Sequence, residues 1–217
     1  MRNFNISYIG QRNDILNFIP PGVRRVLDIG CSAGNLGYSI KNKLNAEVCG
    51  IELNRQMADD ASKKLDKVLV DDIETLNLTE HFPKKYFDCI IFADILEHLK
   101  DPWDVLKNTR NVLSDTGLII ASIPNVRHHS TIINLLIKGY WPYRNRGIHD
   151  KTHLRFFTLR NIKEMFESNG FQLAKISRKY RIIEKPHPYN KYSKYFAISI
   201  FKELLTFQYL VVAGKKF

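Results

Sequence analysis

The chain has 217 residues, of which 44% are hydrophobic and 25% charged, with a formal net charge of +11. That length suits one domain with a sizeable core, and no apolar run reaches the ~18 residues that a bilayer span needs. Met1-Arg2-Asn3-Phe4-Asn5 lacks the apolar region of a secretory signal. The three cysteines (Cys31, Cys49 and Cys89) show neither paired nor metal-type spacing, so reduced thiols and a cytoplasmic protein are expected.

In chain order, residues 7–19 read as a helix that stops at Pro20-Pro21-Gly22. Strand 1 is Arg25–Ile29, and a helix runs from Gly34 to about Lys43. Strand 2 covers 47–51, a helix Arg55–Leu65, and strand 3 Lys67–Val70. Strand 4, Phe87–Ala93, is an almost unbroken apolar run, the pattern of a strand buried on both faces. Asp101-Pro102 reads as N-cap and first helical residue of a helix to about Leu113. Asp115-Thr116-Gly117 is a turn before strand 5, Leu118–Ile123. This alternation predicts a doubly wound, mostly parallel sheet.

The rhythm breaks over residues 124–157, where Thr131–Ile137 is a helix candidate. A helix over 158–169 follows, with Thr158 as N-cap and Gly170 beyond its end. Then come a strand over Phe171–Ile183, a helix over Lys191–Thr206 and a short last strand, Gln208–Ala213. Charge is uneven along the chain. Residues 1–123 hold 15 Lys/Arg against 17 Asp/Glu, whereas residues 124–217 hold 18 against 5. The basic half suggests an acidic substrate or surface.

The run Val26-Leu27-Asp28-Ile29-Gly30-Cys31-Ser32-Ala33-Gly34 is the most informative stretch. A glycine-punctuated turn between strand and helix lets backbone N–H groups approach an anionic ligand. Glu52 closes the next strand, where an acid commonly grips ribose hydroxyls. The dinucleotide pattern fails, because Ser32 and Asn35 stand where it needs glycine, and no Gly-Lys-Ser/Thr follows Gly34. A nucleoside-containing cofactor of another kind is implied.

Five segments in order resemble the class I S-adenosylmethionine-dependent methyltransferases. They are the loop just quoted, with Ser32 in place of a usual glycine; Gly50-Ile51-Glu52-Leu53; Val70-Asp71-Asp72-Ile73-Glu74; Phe87 to Leu99, containing Ala93-Asp94-Ile95-Leu96-Glu97-His98; and Ser122-Ile123-Pro124-Asn125-Val126. The resemblance implies a seven-stranded Rossmann-like sheet with an antiparallel last strand and an insertion after strand 5. It implies S-adenosyl-L-methionine as methyl donor and S-adenosyl-L-homocysteine as product. Asp28, Gly30, Cys31, Ser32 and Gly34 would form the cofactor loop, Glu52 would hold the ribose and Leu53 would pack on adenine. Asp72 or its neighbour Asp71 would meet the adenine amine, with Ile73 supplying a backbone N–H. Ala93 and Asp94 would border the methionine part. Tyr8 and Arg12, four apart on the first helix, share a face that would lie over the cofactor.

Residues 147–158, Gly-Ile-His-Asp-Lys-Thr-His-Leu-Arg-Phe-Phe-Thr, are similar to bacterial methyltransferase domains associated with polysaccharide biosynthesis. The whole chain, 1–217, then reads as one methyltransferase domain in which 124–157 is an acceptor-side insertion or lid. A hydroxyl acceptor would need a base. His153 with Asp150, beside His149, is the candidate set, and Arg155 or Lys151 could hold an anionic group. Asp94, Glu97 and His98 form a second set. It resembles the ubiquinone-pathway O-methyltransferases, where such a set can bind a divalent metal; no metal is assigned here. Glu97 and His98 would point about 100° apart on a regular helix. Trp141, Tyr140, Tyr143, Phe156 and Phe157 could line an acceptor pocket or form lid core.

The expected acceptor is a small molecule or glycan, nucleotide- or lipid-linked. RNA is the weaker alternative, since no Asn/Asp-Pro-Pro-Tyr-type motif is present. A non-catalytic cofactor-binding subunit is a further one. The apolar helix near 192–207 is expected to bury against the sheet or a second subunit, which would make a homodimer. Its basic surroundings leave a peripheral membrane contact open.

Overall fold

The computed structural model describes residues 12–198 and 201–216. The segment Arg25–Ile29 forms β1, the third strand across a seven-stranded sheet. It is followed by α2 (Asn35–Leu44), β2 (Glu47–Glu52), α3 (Arg55–Ser62), β3 (Lys67–Val70), α4 (Leu78–His81) and β4 (Phe87–Ala93), with α1 (Asn13–Leu16) ahead of it. Then come α5 (Pro102–Val112), β5 (Leu113–Pro124), α6 (His129–Ile132), α7 (Leu159–Ser168) and β6 (Phe171–Tyr180). Last are α8 (Ser193–Phe196), α9 (Lys202–Leu205) and β7 (Thr206–Lys215). The strand order is β3-β2-β1-β4-β5-β7-β6. β1 to β5 pair in parallel, and β7 runs antiparallel between β5 and β6.

Successive residues of the central strands serve opposite faces. Leu27, Ile29, Ile90, Phe92, Ile119 and Ala121 pack under α5 and α7. Val26, Cys89, Ile91 and Ile120 pack under α1 and α2. Both layers being covered explains the unbroken apolar run of β4. The cysteines are free, buried thiols. Burial pushes the Cys49 thiol up to about 12 and raises Cys31 and Cys89 as well, which keeps them unreactive.

Several elements depart from the sequence reading. The helix predicted over 7–19 is seen, among the described residues, only as α1. The turn at Asp115-Thr116-Gly117 lies inside β5, as an irregularity between the Phe87–Leu113 and Cys89–Leu118 pairs. β6 ends at Tyr180 because the amides of Ile182 and Ile183 donate to Asn190 Oδ1 at 3.0 and 2.9 Å instead of to a strand. The helix predicted over 191–206 is broken into α8 and α9. An all-round apolar helix needs cover on every side, and Tyr195, Phe196 and Ile198 are exposed. The stretch Thr131–Ile137 begins within α6 and loosens into a π-turn over Ile133–Ile137.

The insertion is closed at its base, where the Val126 amide donates to Phe157 O at 3.0 Å. His128, fully buried, fastens it to the end of β6 through Nε2 and Arg181 O, 3.0 Å apart, while Nδ1 accepts from the Ser130 amide. Burial pushes its imidazolium pKa down to about 4. The unfolded chain therefore takes up this proton first as pH falls. Stability contributed above the ordinary value near 6.5 is lost as pH drops towards 4, by about 3 kcal/mol. Replacing His128 with Gln should flatten the acid side of the melting-temperature profile over that window; an unchanged slope would reject the assignment.

Candidate active site

The order of strands reverses around β1, whose neighbours are β2 and β4. Ligand crevices in open α/β sheets form at such a point, outside the carboxyl ends of the strands. Here the 30–34 loop leaves β1. Gly30 has φ +71, and a Cβ there would sit 2.1 Å from Ile95 Cδ1. Gly34 has φ +74, and its Cβ would meet Ala61 Cα at 2.9 Å. Ser32 takes φ 51, so the loop keeps a glycine-like backbone at a cost of about 1 kcal/mol. The Ser32 amide donates to Glu52 Oε2 and the Asn54 amide to Glu52 Oε1, both at 2.9 Å. Glu52 thus joins the loop to the start of α3, and each of its oxygens has capacity for a further donor.

Leu53, beside it, is 66% exposed. Asp71 is exposed and accepts from the Asp72 amide. Asp72 is half-buried and accepts from the Glu74 amide. Ile73 packs against the core.

Asp28, Gly30, Cys31, Ser32, Asn35, Leu36, Ala93, Asp94 and Arg12 line a small cavity of about 80 Å³. Both carboxylate oxygens of Asp28 are buried and find no partner among the described residues. Burial, reinforced by Glu52, pushes that carboxyl up to about 7. A cationic ligand group is what this floor lacks, and S-adenosylmethionine carries both an ammonium and a sulfonium. The residues therefore fit the cofactor that the sequence implies. Arg12, expected over it, pairs with Asp94 and Asp14. Tyr8 lies outside the described residues. Asp94 has φ 58 and also accepts from Ser122 Oγ at 2.8 Å and from Gln208 Nε2.

Arg12 and Asp94 also border a larger cavity of about 640 Å³. It is lined by the buried or half-buried Glu97, His98, Asp150 and His153, and by Arg144, Arg146, Lys179, Arg181, Glu184 and Lys185. Glu97 and His98 sit on a 3₁₀ turn, Leu96–His98. Amides of Leu154 and Arg155 donate to Glu97 O at 2.8 and 3.0 Å, which pins the insertion to this turn. The Glu97 carboxyl is buried, Oε2 has no partner among the described residues, and burial together with Asp94 pushes it well above the usual carboxylate range.

The pairing of His153 differs from expectation. Asp150, which lines the same cavity, accepts from the amide and hydroxyl of Thr152 at 2.9 and 2.7 Å. His153 Nδ1 faces Ile148 O at 3.1 Å, and its Nε2 lies 3.9 Å from Glu97 Oε1. The carbonyl requires a proton on Nδ1, which leaves the Nε2 lone pair toward Glu97. Burial and His98 lower the His153 pKa to about 4, so the ring is neutral at pH 7. Glu97, His98 and His153 offer three ligand-type atoms within 4.8 Å of one another, one carboxylate and two imidazoles, which could hold a divalent ion. His153, from the insertion, stands there where the sequence reading had Asp94.

His149 lies elsewhere: fully buried, bonded to Thr131 Oγ1 and Glu184 Oε1, with its ring against Trp141. It ties the insertion together and does not line the cavity. Nor do the five insertion aromatics: Phe157 is core, Trp141 packs on Phe156, and Tyr140 and Tyr143 are exposed. Arg155 is spent on Lys100 O. Sequence reasoning missed Gln208, Arg144, Arg181 and Glu184. The one available signal was Gln208, a polar residue opening the last apolar strand.

Fold, loop and cavities together define a class I S-adenosylmethionine-dependent methyltransferase. The chain belongs to the methyltransferase domain family, which matches residues 7–176. It is 32% identical over 131 residues to a ubiquinone biosynthesis O-methyltransferase of Bradyrhizobium diazoefficiens, covering 59% of this chain and 51% of that one. It is 27% identical over 158 residues to the enzyme of that name from Neisseria meningitidis, covering 70% and 65%. The chain thus spans about half to two thirds of the length of these curated relatives. A SAM-dependent methyltransferase from Archaeoglobus fulgidus shares the fold, with a TM-score of 0.67 at 21% identity over 97% of each chain. No described helix is long and apolar enough to cross a membrane. The polysaccharide association expected from residues 147–158 finds no support among these relatives.

Proposed function

We propose that the protein transfers the methyl group of S-adenosylmethionine to a hydroxyl oxygen of a small acceptor that carries an anionic group. The observation that carries this reading is the lining of the 640 Å³ cavity: a neutral imidazole and a buried carboxyl among its less exposed residues, and five arginines and lysines around the one acid Glu184, of which Arg146 and Lys185 have no ion-pair partner among the described residues. The names of the curated relatives support oxygen as the methylated atom. When bound, the cofactor supplies an electrophilic methyl group whose departure neutralises sulfur. The chain's own residues hold and align the reactants, keep out water and accept the hydroxyl proton.

Under this reading Glu52 holds the ribose, Leu53 covers one adenine face, Asp72 accepts from the adenine amine and Asp28 faces the cationic end. His153 Nε2 takes the acceptor's proton. Arg146 and Lys185, which have no ion-pair partner among the described residues, meet the anionic group. A cavity of about 640 Å³, as opposed to a flat basic face, favours a small molecule over RNA.

The test is turnover of methyl-labelled S-adenosylmethionine with paired hydroxyl acceptors that differ only in a carboxylate or phosphate. The anionic member is expected to be methylated. Replacing Arg146 and Lys185 with Ala should raise its KM roughly tenfold with kcat retained. Equal turnover of the neutral partner, or labelling on nitrogen, would overturn the reading.

Asp28 gives a second check. With its carboxyl near 7, binding of a cation beside it favours the ionised form and expels a proton around neutral pH. Calorimetry in two buffers of different ionisation heat should then give different binding enthalpies, and Asp28→Asn should make them equal. Equal heats for the unaltered protein would reject the placement.

A further inference from the structure

Building on the reading of a hydroxyl acceptor with an anionic group, we propose that Arg181, with Arg146 and Lys185, forms a phosphate site in the wall of the 640 Å³ cavity, so that the acceptor's anionic group is a phosphate or diphosphate. Six lysines and arginines line this cavity, and all but Arg12 come from the basic half of the chain. Three of the six are already neutralised. Arg12 pairs with Asp94 and Asp14, Arg144 with Glu184, and Lys179 with Asp14. Arg181 joins Arg146 and Lys185 in having no ion-pair partner among the described residues.

Arg181 is held in place, unlike an ordinary surface arginine. It is half-buried. Its Cζ lies 3.9 Å from the centroid of the Phe207 ring, a stacking contact, and Phe207 lines the cavity too. Its Nη1 donates to Glu184 O at 2.8 Å. These contacts fix the guanidinium, while its Nε and Nη2 have no partner among the described residues. A fixed guanidinium with donors to spare presents the planar fork that suits phosphate oxygens. Burial works against its positive charge, and an anion beside it would offset that cost.

Glu184 gathers the three cations. Arg181 holds its carbonyl, and Lys185 follows it in the chain. Arg146 lies between Arg144, which bonds Glu184 Oε2, and Gly147, where a Cβ would sit 3.1 Å from Glu184 Oε1. The Glu184 carboxylate is itself engaged by Arg144 and His149, so it braces the wall and does little to repel an anion. Charge then selects the ligand. A carboxylate brings one negative charge and two oxygens. A phosphomonoester brings roughly 1.5 to 2 negative charges at neutral pH and three acceptor oxygens, one for each unpaired cation. A diphosphate brings more of both.

The experiment is titration calorimetry on the full chain saturated with S-adenosylhomocysteine, which fills the cofactor site. Inorganic phosphate and pyrophosphate are compared with acetate and succinate. At least one of the phosphates is expected to bind roughly tenfold or more tighter than succinate. Tighter binding of pyrophosphate would assign a diphosphate acceptor, and tighter binding of phosphate a phosphomonoester. Arg181→Ala should lower that affinity at least roughly tenfold. Arg181→Lys keeps the charge and loses the fork, so it should fall between; it carries the test alone if the Ala variant does not fold. Melting temperature and S-adenosylhomocysteine affinity report folding in both. Absence of phosphate binding, or succinate binding as tightly as either phosphate, would overturn the proposal and leave a carboxylate-bearing acceptor standing. Phosphate affinity that survives both substitutions in folded protein would overturn it as well. Failure of the acceptor reading itself shows elsewhere, as turnover of a neutral acceptor, which this binding measurement does not use.

Discussion

Glu52→Ala is expected to weaken binding of S-adenosylhomocysteine by at least roughly a hundredfold. The carboxylate would lose two charge-assisted bonds to the ribose hydroxyls, each worth about 1.5–3 kcal/mol in a site of this kind. It would also release the amides of Ser32 and Asn54, which it now holds at 2.9 Å. The second loss matters because Ser32 keeps φ 51, a conformation a serine does not hold without support. Glu52→Gln should fall between the two. Its amide oxygen can still accept from one backbone N–H, while its amide nitrogen meets the other donor to donor. Ser32→Gly should oppose the effect slightly, since glycine relieves the left-handed strain. Titration calorimetry on the three variants measures this directly. Unchanged affinity for Glu52→Ala, in protein whose melting temperature shows it folded, would reject the ribose assignment.

The sheet and the cofactor loop were legible in the sequence because local chemistry sets them. β1, β3 and β4 are apolar runs bounded by turn residues, and their limits match those read beforehand. Thr158 caps its helix as its position implied, with Asn161 completing the capping box. What local pattern could not show is which distant groups meet. Asp150 and His153, three apart, suggested a pair. The chain also uses Asp150 to hold the Thr152 turn and brings Glu97, some fifty residues earlier, to within 3.9 Å of His153 Nε2. That contact exists because the amides of Leu154 and Arg155 bond the carbonyl of Glu97. His149 carried the right chemistry for a base but sits under Trp141 and Glu184, away from the cavity. The apolar content of 192–207 suggested burial, and periodicity alone does not say whether a covering surface exists. Tyr192, Tyr195, Phe196 and Ile198 are exposed there, whereas Thr206 and Phe207, already in β7, are buried.

Replacing His153 should remove most turnover while leaving the cofactor affinity in place. A positioned base contributes on the order of 10²- to 10⁴-fold to proton transfer. Two variants separate that role from a structural one. Asn at 153 can place an amide N–H where Nδ1–H now meets Ile148 O, yet it offers no atom at Nε2. Gln reaches further, towards the position of Nε2, but its amide accepts no proton at neutral pH. Both are expected to lose kcat to a similar degree, with KM for the acceptor nearly unchanged. Retained activity in the Asn variant would show that only the Ile148 contact matters and would end the base assignment. The pH profile supplies the sign. Burial depresses the His153 pKa to about 4, so the active neutral ring persists from neutral pH down to about 5, and the rate falls as pH drops through 4. A group of ordinary pKa would place the fall near 6.5. The low value also has a catalytic cost, because a weaker base gives less driving force for taking a proton. A proton arriving on Nε2 lies 3.9 Å from Glu97 Oε1, whose carboxyl burial and Asp94 push well above the usual carboxylate range. Glu97→Gln should therefore lower kcat less than loss of His153 does and leave the acid limb of the profile in place, because a carboxyl held well above the usual carboxylate range by burial and Asp94 offers the imidazolium little counter-charge to lose.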